Sequence, residues 1–281
     1  MSDAAAPLLE ARGVSRLFPI RGSGGLWRRR ALQTAVDDVS IHVRPGEVVA
    51  LVGESGSGKT TLGRMLLGLS SPSGGSILYR GCDIRTLHGA ARQQFRSDVQ
   101  VVFQDSGASL NPRHSIARSI ALPLLYNRKL RPAAVADATD GLLEQVGLPP
   151  SHFRDRLPHQ LSGGQRQRVG IARALASNPT VIVADEPVSA LDVSVRAQIL
   201  RLMADLQRKK GLAYIFITHD LGVVRALADR VMVMYQGQIV ESGDADSVLE
   251  RPAHAYTQRL LAATPVPDPG RQVALATAKE A

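Results

Sequence analysis

An α/β fold built around a parallel sheet is the fold class this sequence predicts, and three observations predict it. Val181 to Ala184 and Tyr214 to Thr218 are β-branched or aromatic runs without polar alternation, the pattern of strands buried on both faces. A helical pattern, Val193 to Lys210, lies between them, and strand, helix, strand in that order implies parallel pairing. Upstream, the apolar run Val48 to Val52 leads through glycines into a further helix.

The remaining elements follow in chain order. Leu8 to Val14 and Val36 to Val43 read as strands, the latter followed by the turn Pro45-Gly46. Between them, Arg21 to Arg30 is a Gly- and Arg-rich loop whose Arg28-Arg29-Arg30 suits either solvent or anionic headgroups. Lys59 to Leu69 carries Leu62, Met65, Leu66 and Leu69 at helical spacing. Ile77 to Tyr79 with Gly81 reads as a hairpin arm, and Val99 to Phe103 as a buried strand. Helices broken by prolines are expected from Ser106 to Pro158, one of them running from Pro132 to a cap at Gly147. Gly164 to Ala176 is another helix, Val231 to Tyr235 and Gln238 to Glu241 form a late hairpin, and Thr264 to Ala281 is a Pro-punctuated tail.

Composition bounds the function classes. A 281-residue chain with 44 % hydrophobic and 21 % charged residues has the make-up of a folded globular protein. No apolar run approaches the length of a membrane span, and Met1-Ser2-Asp3 lacks the features of a signal peptide, so a cytosolic chain is expected. The single cysteine, Cys82, excludes an internal disulfide and a four-cysteine metal site. Net charge is +9, but only five of the 34 basic residues are lysines. An Arg- and Ala-rich chain of this kind fits coding bias better than a nucleic-acid surface.

Three motifs carry chemistry. Gly53-Glu54-Ser55-Gly56-Ser57-Gly58-Lys59-Thr60, followed by Thr61, fits the pattern of a phosphate-binding loop between strand and helix. Glycines let backbone N–H groups turn inward, Lys59 supplies positive charge, and the Thr60 hydroxyl suits Mg²⁺. The alternative, a glycine-rich turn without a ligand, is weakened by that context. An apolar strand ending in Asp185-Glu186 places Asp185 where Mg²⁺ would sit and Glu186 where it could deprotonate a water. Alone, such acids also fit a solvated strand end. Ser162-Gly163-Gly164-Gln165 opens a helix and fits either another anion-binding N-terminus or a structural turn.

Read on as LSGGQRQRVGIARAL, Leu161 to Leu175 resembles the signature of the ATP-binding cassette (ABC) family, whose motif order this chain shares. The resemblance implies a P-loop NTPase (RecA-like) core with an antiparallel β subdomain and an inserted helical subdomain. It implies a nucleotide-binding domain over 1–263, with the helical part at about 106–169 and the tail at 264–281. It also implies roles for residues that would otherwise pass as surface or structural: Gln104 as a glutamine sensing Mg²⁺ and water, His219 as the γ-phosphate switch, and Ser189 to Asp192 as the loop meeting a second cassette. Phe18 stands where the family has an adenine-stacking aromatic, although a core phenylalanine fits equally.

A narrower resemblance covers nearly the whole chain. GESGSGKTT at Gly53, SLNPR at Ser109, EPVSALDVSVRAQIL at Glu186 and PAHAYTQRLL at Pro252 are similar to the oligopeptide/dipeptide/nickel importer ATPases. Two departures are Ser106-Gly107 and Ala255, where that family has proline after its Gln-Asp and before its tail tyrosine. The resemblance implies ATP and Mg²⁺ as cofactors and hydrolysis powering uptake of peptides or similar small solutes, or of nickel. The implied partners are a second ATPase subunit, two permease subunits and an extracytoplasmic solute-binding protein, with no nucleic acid, at the cytoplasmic face of the bacterial inner membrane. A soluble ABC ATPase acting on nucleic acid is the alternative, supported only by the positive charge; an exporter cassette fits the tail and SLNPR segment less well.

Overall fold

The computed structural model describes residues 5–19, 32–104 and 106–263; the Arg28 to Arg30 loop and the tail lie outside them. Two long strands, β1 (Leu9–Pro19) and β2 (Leu32–Val43), pair antiparallel, and Val36, Val39, Ile41 and Val43 of β2 point to one buried face. The turn at Pro45-Gly46 leads into β3 (Val48–Val52), buried at every position. Next come α1 (Lys59–Leu66), β4 (Gly74–Tyr79) and β5 (Cys82–Asp83). β4 returns to pair with β1, completing an antiparallel sheet in the order β2-β1-β4-β5.

Helix α1 stops earlier than its apolar spacing predicts. Gly68 takes φ +66°, its N–H donates to the Met65 carbonyl, and the Leu69 N–H donates to Arg64, which closes a Schellman motif. Leu69 is therefore outside the helix and 65 % exposed rather than a core residue.

A second sheet is the larger one. Helix α2 (Gly89–Asp98) precedes β6 (Val99–Val102), a strand that stops before the predicted Phe103. The segment that follows holds α3 (Ile116–Tyr126), α4 (Pro132–Gln145), α5 (Pro150–Phe153) and α6 (Gly163–Leu175). Pro123 falls inside α3 rather than breaking it, three residues before the helix ends. Then β7 (Val181–Asp185), α7 (Val193–Lys210), β8 (Ala213–Thr218), α8 (Leu221–Leu227), β9 (Arg230–Tyr235), β10 (Gln238–Asp244), α9 (Ala245–Glu250) and α10 (Ala255–Ala262) complete the described chain.

The sheet order is β10-β9-β3-β8-β7-β6, parallel from β9 to β6 with β10 antiparallel at one edge. Its two faces bury separate cores. Val49, Leu51, Val183, Ile215 and Ile217 pack with α1 and the antiparallel sheet. Ala50, Val52, Ile182, Ala184 and Phe216 pack with α3, α4, α6 and α7. Both sides being covered explains the continuous apolar runs. The sheet's carboxyl edge is left for the loops.

Candidate functional site

Four adjacent parallel strands deliver the predicted residues to one edge. The glycine loop follows β3, His219 follows β8, Asp185 ends β7 with Glu186 next, and Gln104 lies two residues beyond β6. The register Val52 to Thr218, Asp185 to Ile217 and Val102 to Ala184 levels these ends. Residues scattered over more than 160 positions of sequence therefore meet at the topological edge where such sheets bind ligands.

The loop from Gly53 to Thr60 is closed and backed by protein. Gly53 and Gly58 take φ +149° and +108°, and a Cβ on either would lie 2.1 Å from the Met234 carbonyl oxygen or 2.3 Å from that of Ala35. Glycine is required at both positions by neighbouring backbone as well as by φ. Lys59 is 5 % exposed and donates from Nζ to the Gly53 and Glu54 carbonyls, each at 2.7 Å. Burial lowers the Lys59 pKa, while Glu186, Asp185 and Glu54 pull it back up. Its positive charge thus sits inside the loop's curve.

Thr60 Oγ1 donates to Asp185 Oδ1 at 3.2 Å, joining two motifs 125 residues apart. Burial raises the Asp185 pKa, with the Thr60 hydrogen bond opposing it and Glu186 adding to it. One carboxylate beside one hydroxyl is a hard-oxygen pair that fits Mg²⁺ completed by phosphate oxygens and water. Among the described residues no cluster of three His, Cys, Asp or Glu side chains forms a protein-only metal cage. Gln104 is exposed at the same edge.

Glu186 takes φ +47°, an uncommon value for a residue with a side chain. Its N–H donates to the Ile217 carbonyl, and its own carbonyl accepts from Ser189 N and Oγ. This bent backbone brings Glu186 Oε1 within 3.1 Å of His219 Nδ1. The carboxylate and the imidazole form one polar pair, with Glu186 next in sequence to the Asp185 that Thr60 contacts.

Ser162 caps α6: its Oγ accepts from Gln165 N at 3.3 Å, and its own N–H donates to Gln165 Oε1 at 2.9 Å. Ser162 and Gly163 are exposed, whereas Gly164 is buried with a virtual Cβ 2.4 Å from Val195 Cγ1. The two glycines serve different ends, an open approach and a close helix crossing. Ser189 to Asp192 forms a partly exposed turn ahead of Val193, itself 81 % exposed. Phe18 is 39 % exposed with the Arg16 guanidinium 4.9 Å from its ring centre, so it is not a core residue. It pairs with Gln33, two positions before the Ala35 that touches Gly58.

Sequence reasoning missed the residues behind the loop. Gly237 N donates to the Ser57 carbonyl, and Tyr256 Oη accepts from Glu54 N at 3.0 Å. No local pattern marks either contact; the only signal was the tail segment holding Tyr256.

The model of the ABC transporter family matches residues 36–189, from β2 past the Asp185-Glu186 pair. The chain belongs to the ABC transporter family. A second model, the C-terminal region of oligopeptide/dipeptide transporters, matches residues 240–281. The ABC chain is 52 % identical over 266 residues to the glutathione import ATP-binding protein GsiA of Escherichia coli, covering 95 % of this chain and 42 % of that one. The Salmonella typhi protein of the same name is 51 % identical over 266 residues, covering 94 % and 42 %. The chain thus spans less than half the length of these relatives. Among solved structures, cbiO1 from Clostridium perfringens, part of the ABC transporter complex cbiONQ, is similar with TM-score 0.73 and 28 % identity over 87 % of this chain and 91 % of that one. The ATP-binding cassette MJ0796, in a dimeric post-hydrolysis state with ADP and Pi, is similar with TM-score 0.73 and 26 % identity over 84 % and 98 %. The expected cassette fold is therefore the observed one.

Proposed function

We propose that this chain binds and hydrolyses ATP as the nucleotide-binding subunit of a bacterial ABC importer for peptides or similar small solutes. The observation that carries the reading is the convergence of Lys59, the Thr60–Asp185 contact and the Glu186–His219 pair at one sheet edge. The names of the glutathione import relatives and the oligopeptide/dipeptide C-terminal match support import as the process served.

In this reading residues 1–263 form the nucleotide-binding domain, with an inserted helical part at about 106–169 and the tail beyond 263. The loop N–H groups and Lys59 hold the β- and γ-phosphates. Thr60 and Asp185, with Gln104 nearby, would hold Mg²⁺, which when bound neutralises phosphate charge. Glu186 accepts a proton from the attacking water, and His219 Nδ1 holds the Glu186 carboxylate in place while its ring reaches toward the γ-phosphate. Phe18 contributes a ring to adenine. Ser162, Gly163 and Gly164 face a second cassette and complete its site, while Ser189 to Asp192 meets the same partner. The partners are that second ATPase subunit, two permeases and an extracytoplasmic solute-binding protein. No helix among the described residues is long and apolar enough to cross a membrane. The chain would then sit peripherally at the cytoplasmic face of the inner membrane, bound to its permeases.

Substituting Glu186→Gln tests the chemistry. The amide keeps the size of the side chain but cannot take the water's proton. ATP affinity is expected to survive while turnover falls by about 10²- to 10⁴-fold. Turnover above about a tenth of the parent rate would overturn the assignment, since loss of a general base costs more than that.

A further inference from the structure

The Gly53–Glu54 peptide unit is planar and trans, so its C=O and N–H point in opposite directions. Each end has a partner. The Gly53 oxygen accepts from Lys59 Nζ at 2.7 Å, and the Glu54 N–H donates to Tyr256 Oη at 3.0 Å. One rigid plate therefore has the phosphate-facing ammonium at one end and a phenol 202 residues away at the other. Gly53 has no side chain to fix that plate, so beyond the Met234 backbone packed against it the orientation depends on the hydrogen bonds at its two ends.

Tyr256 is built to be such a tie. It is 2 % exposed, and its ring lies against Tyr235 with centres 4.2 Å apart. Its N–H donates to His254 Nδ1 at 3.1 Å, which starts α10. The Glu241 carboxylate on β10 accepts from the Ala253 and His254 N–H groups at 2.7 and 3.1 Å, fixing the whole start of the helix to the sheet. Ring packing alone would be satisfied by phenylalanine. The hydroxyl is explained by the loop.

Resting on the ATP-binding reading above, we propose that Tyr256 is a positioning residue for the phosphate loop: it holds the Gly53–Glu54 plane and, through it, the Lys59 ammonium. The tail helix then contributes to nucleotide binding without touching nucleotide. In Tyr256→Phe the Glu54 N–H loses its partner, the plate can turn to find another, and the Gly53 oxygen swings away from Lys59, whose ammonium keeps only the Glu54 carbonyl at 2.7 Å and Ser57 Oγ at 3.4 Å.

The test uses the full chain and two readouts. The first is ATP affinity by direct titration, expected to weaken by about two- to tenfold in Tyr256→Phe, the worth of one hydrogen bond. The second needs no nucleotide: acetylation of Lys59 by acetic anhydride, followed by mass spectrometry and referenced to exposed Lys209 in the same molecule. Lys59 should label several-fold faster in Tyr256→Phe, a change that general packing would not confine to one lysine. Unchanged affinity, or weakened affinity with unchanged Lys59 labelling, overturns the proposal. So does a fall of more than about 5 °C in the nucleotide-free melting temperature, which would make the hydroxyl a general stabiliser. If Tyr256→Phe is not recovered folded, Glu241→Gln, which loosens the start of α10, is read the same way with a smaller expected shift. Should the parent fail to bind ATP, the functional reading falls, yet the labelling still reports whether Tyr256 holds Lys59.

Discussion

The glycine loop at Gly53 to Thr60 and the glycine turn at Leu161 to Gln165 look alike in sequence, each opening a helix with small residues. Their surroundings differ. The first is closed by its own chain: Lys59 spans it from inside, and Gly237 and Tyr256 bond it from outside. At the second, Ser162 and Gly163 face solvent, and Ser162 bonds with Gln165 and, through its carbonyl, with Arg166, all within its own helix start. In the function proposed above, the first glycine-rich helix start is a finished ligand site and the second a half-site for another cassette. The backing residues, rather than the glycines, tell them apart.

The largest expected effect comes from breaking the finished site. Lys59→Ala removes the charge that crosses the loop in the ground state and in the transition state, so ATP binding and hydrolysis should fall together. Equilibrium titration with ATP checks this. Unchanged affinity would mean that the loop is not the phosphate site, and the contrast with the signature turn would lose its meaning.

How much of this contrast could be read before folding depends on the range of the contact. The strands β3, β7 and β8 and the helix α7 were legible because both-face burial and helical spacing leave local patterns. The motifs were legible for the same reason: a phosphate loop is contiguous. Helix α2, with sequence GAARQQFRSD, was not, since only Phe95, Ser97 and Asp98 are buried and no apolar stripe results. Leu69 fitted the stripe of α1, but the left-handed Gly68 ended the helix first. The Thr60–Asp185 and Glu186–His219 contacts followed only once strand order was known. The Tyr256–Glu54 bond left no trace in spacing at all, because nothing local requires a tyrosine there.

A smaller effect sharpens how far the chain completes its own nucleotide site. Phe18 is half-exposed beside the strand that touches Gly58. Phe18→Ala should weaken ATP binding by about 1 to 3 kcal/mol, the range for a base stacked on an aromatic ring. Because the ring is not in the core, the nucleotide-free melting temperature should barely move. A lowered melting temperature with unchanged ATP affinity would assign Phe18 to packing instead.

The difference between a finished site and a half-site is tested most directly by Ser162→Arg, read in two places. A bulky cation at the cap blocks close approach of the α6 N-terminus to phosphate held by another cassette, but leaves Gly53 to Thr60 untouched. ATP affinity of the isolated chain should stay within about twofold of the parent, the scatter expected of a distant surface change. In the assembled transporter, hydrolysis at the partner's phosphate loop should be lost, matching a complex whose partner lacks its own loop lysine. Loss of ATP binding by this chain alone, or full turnover of the assembled complex, would contradict the account.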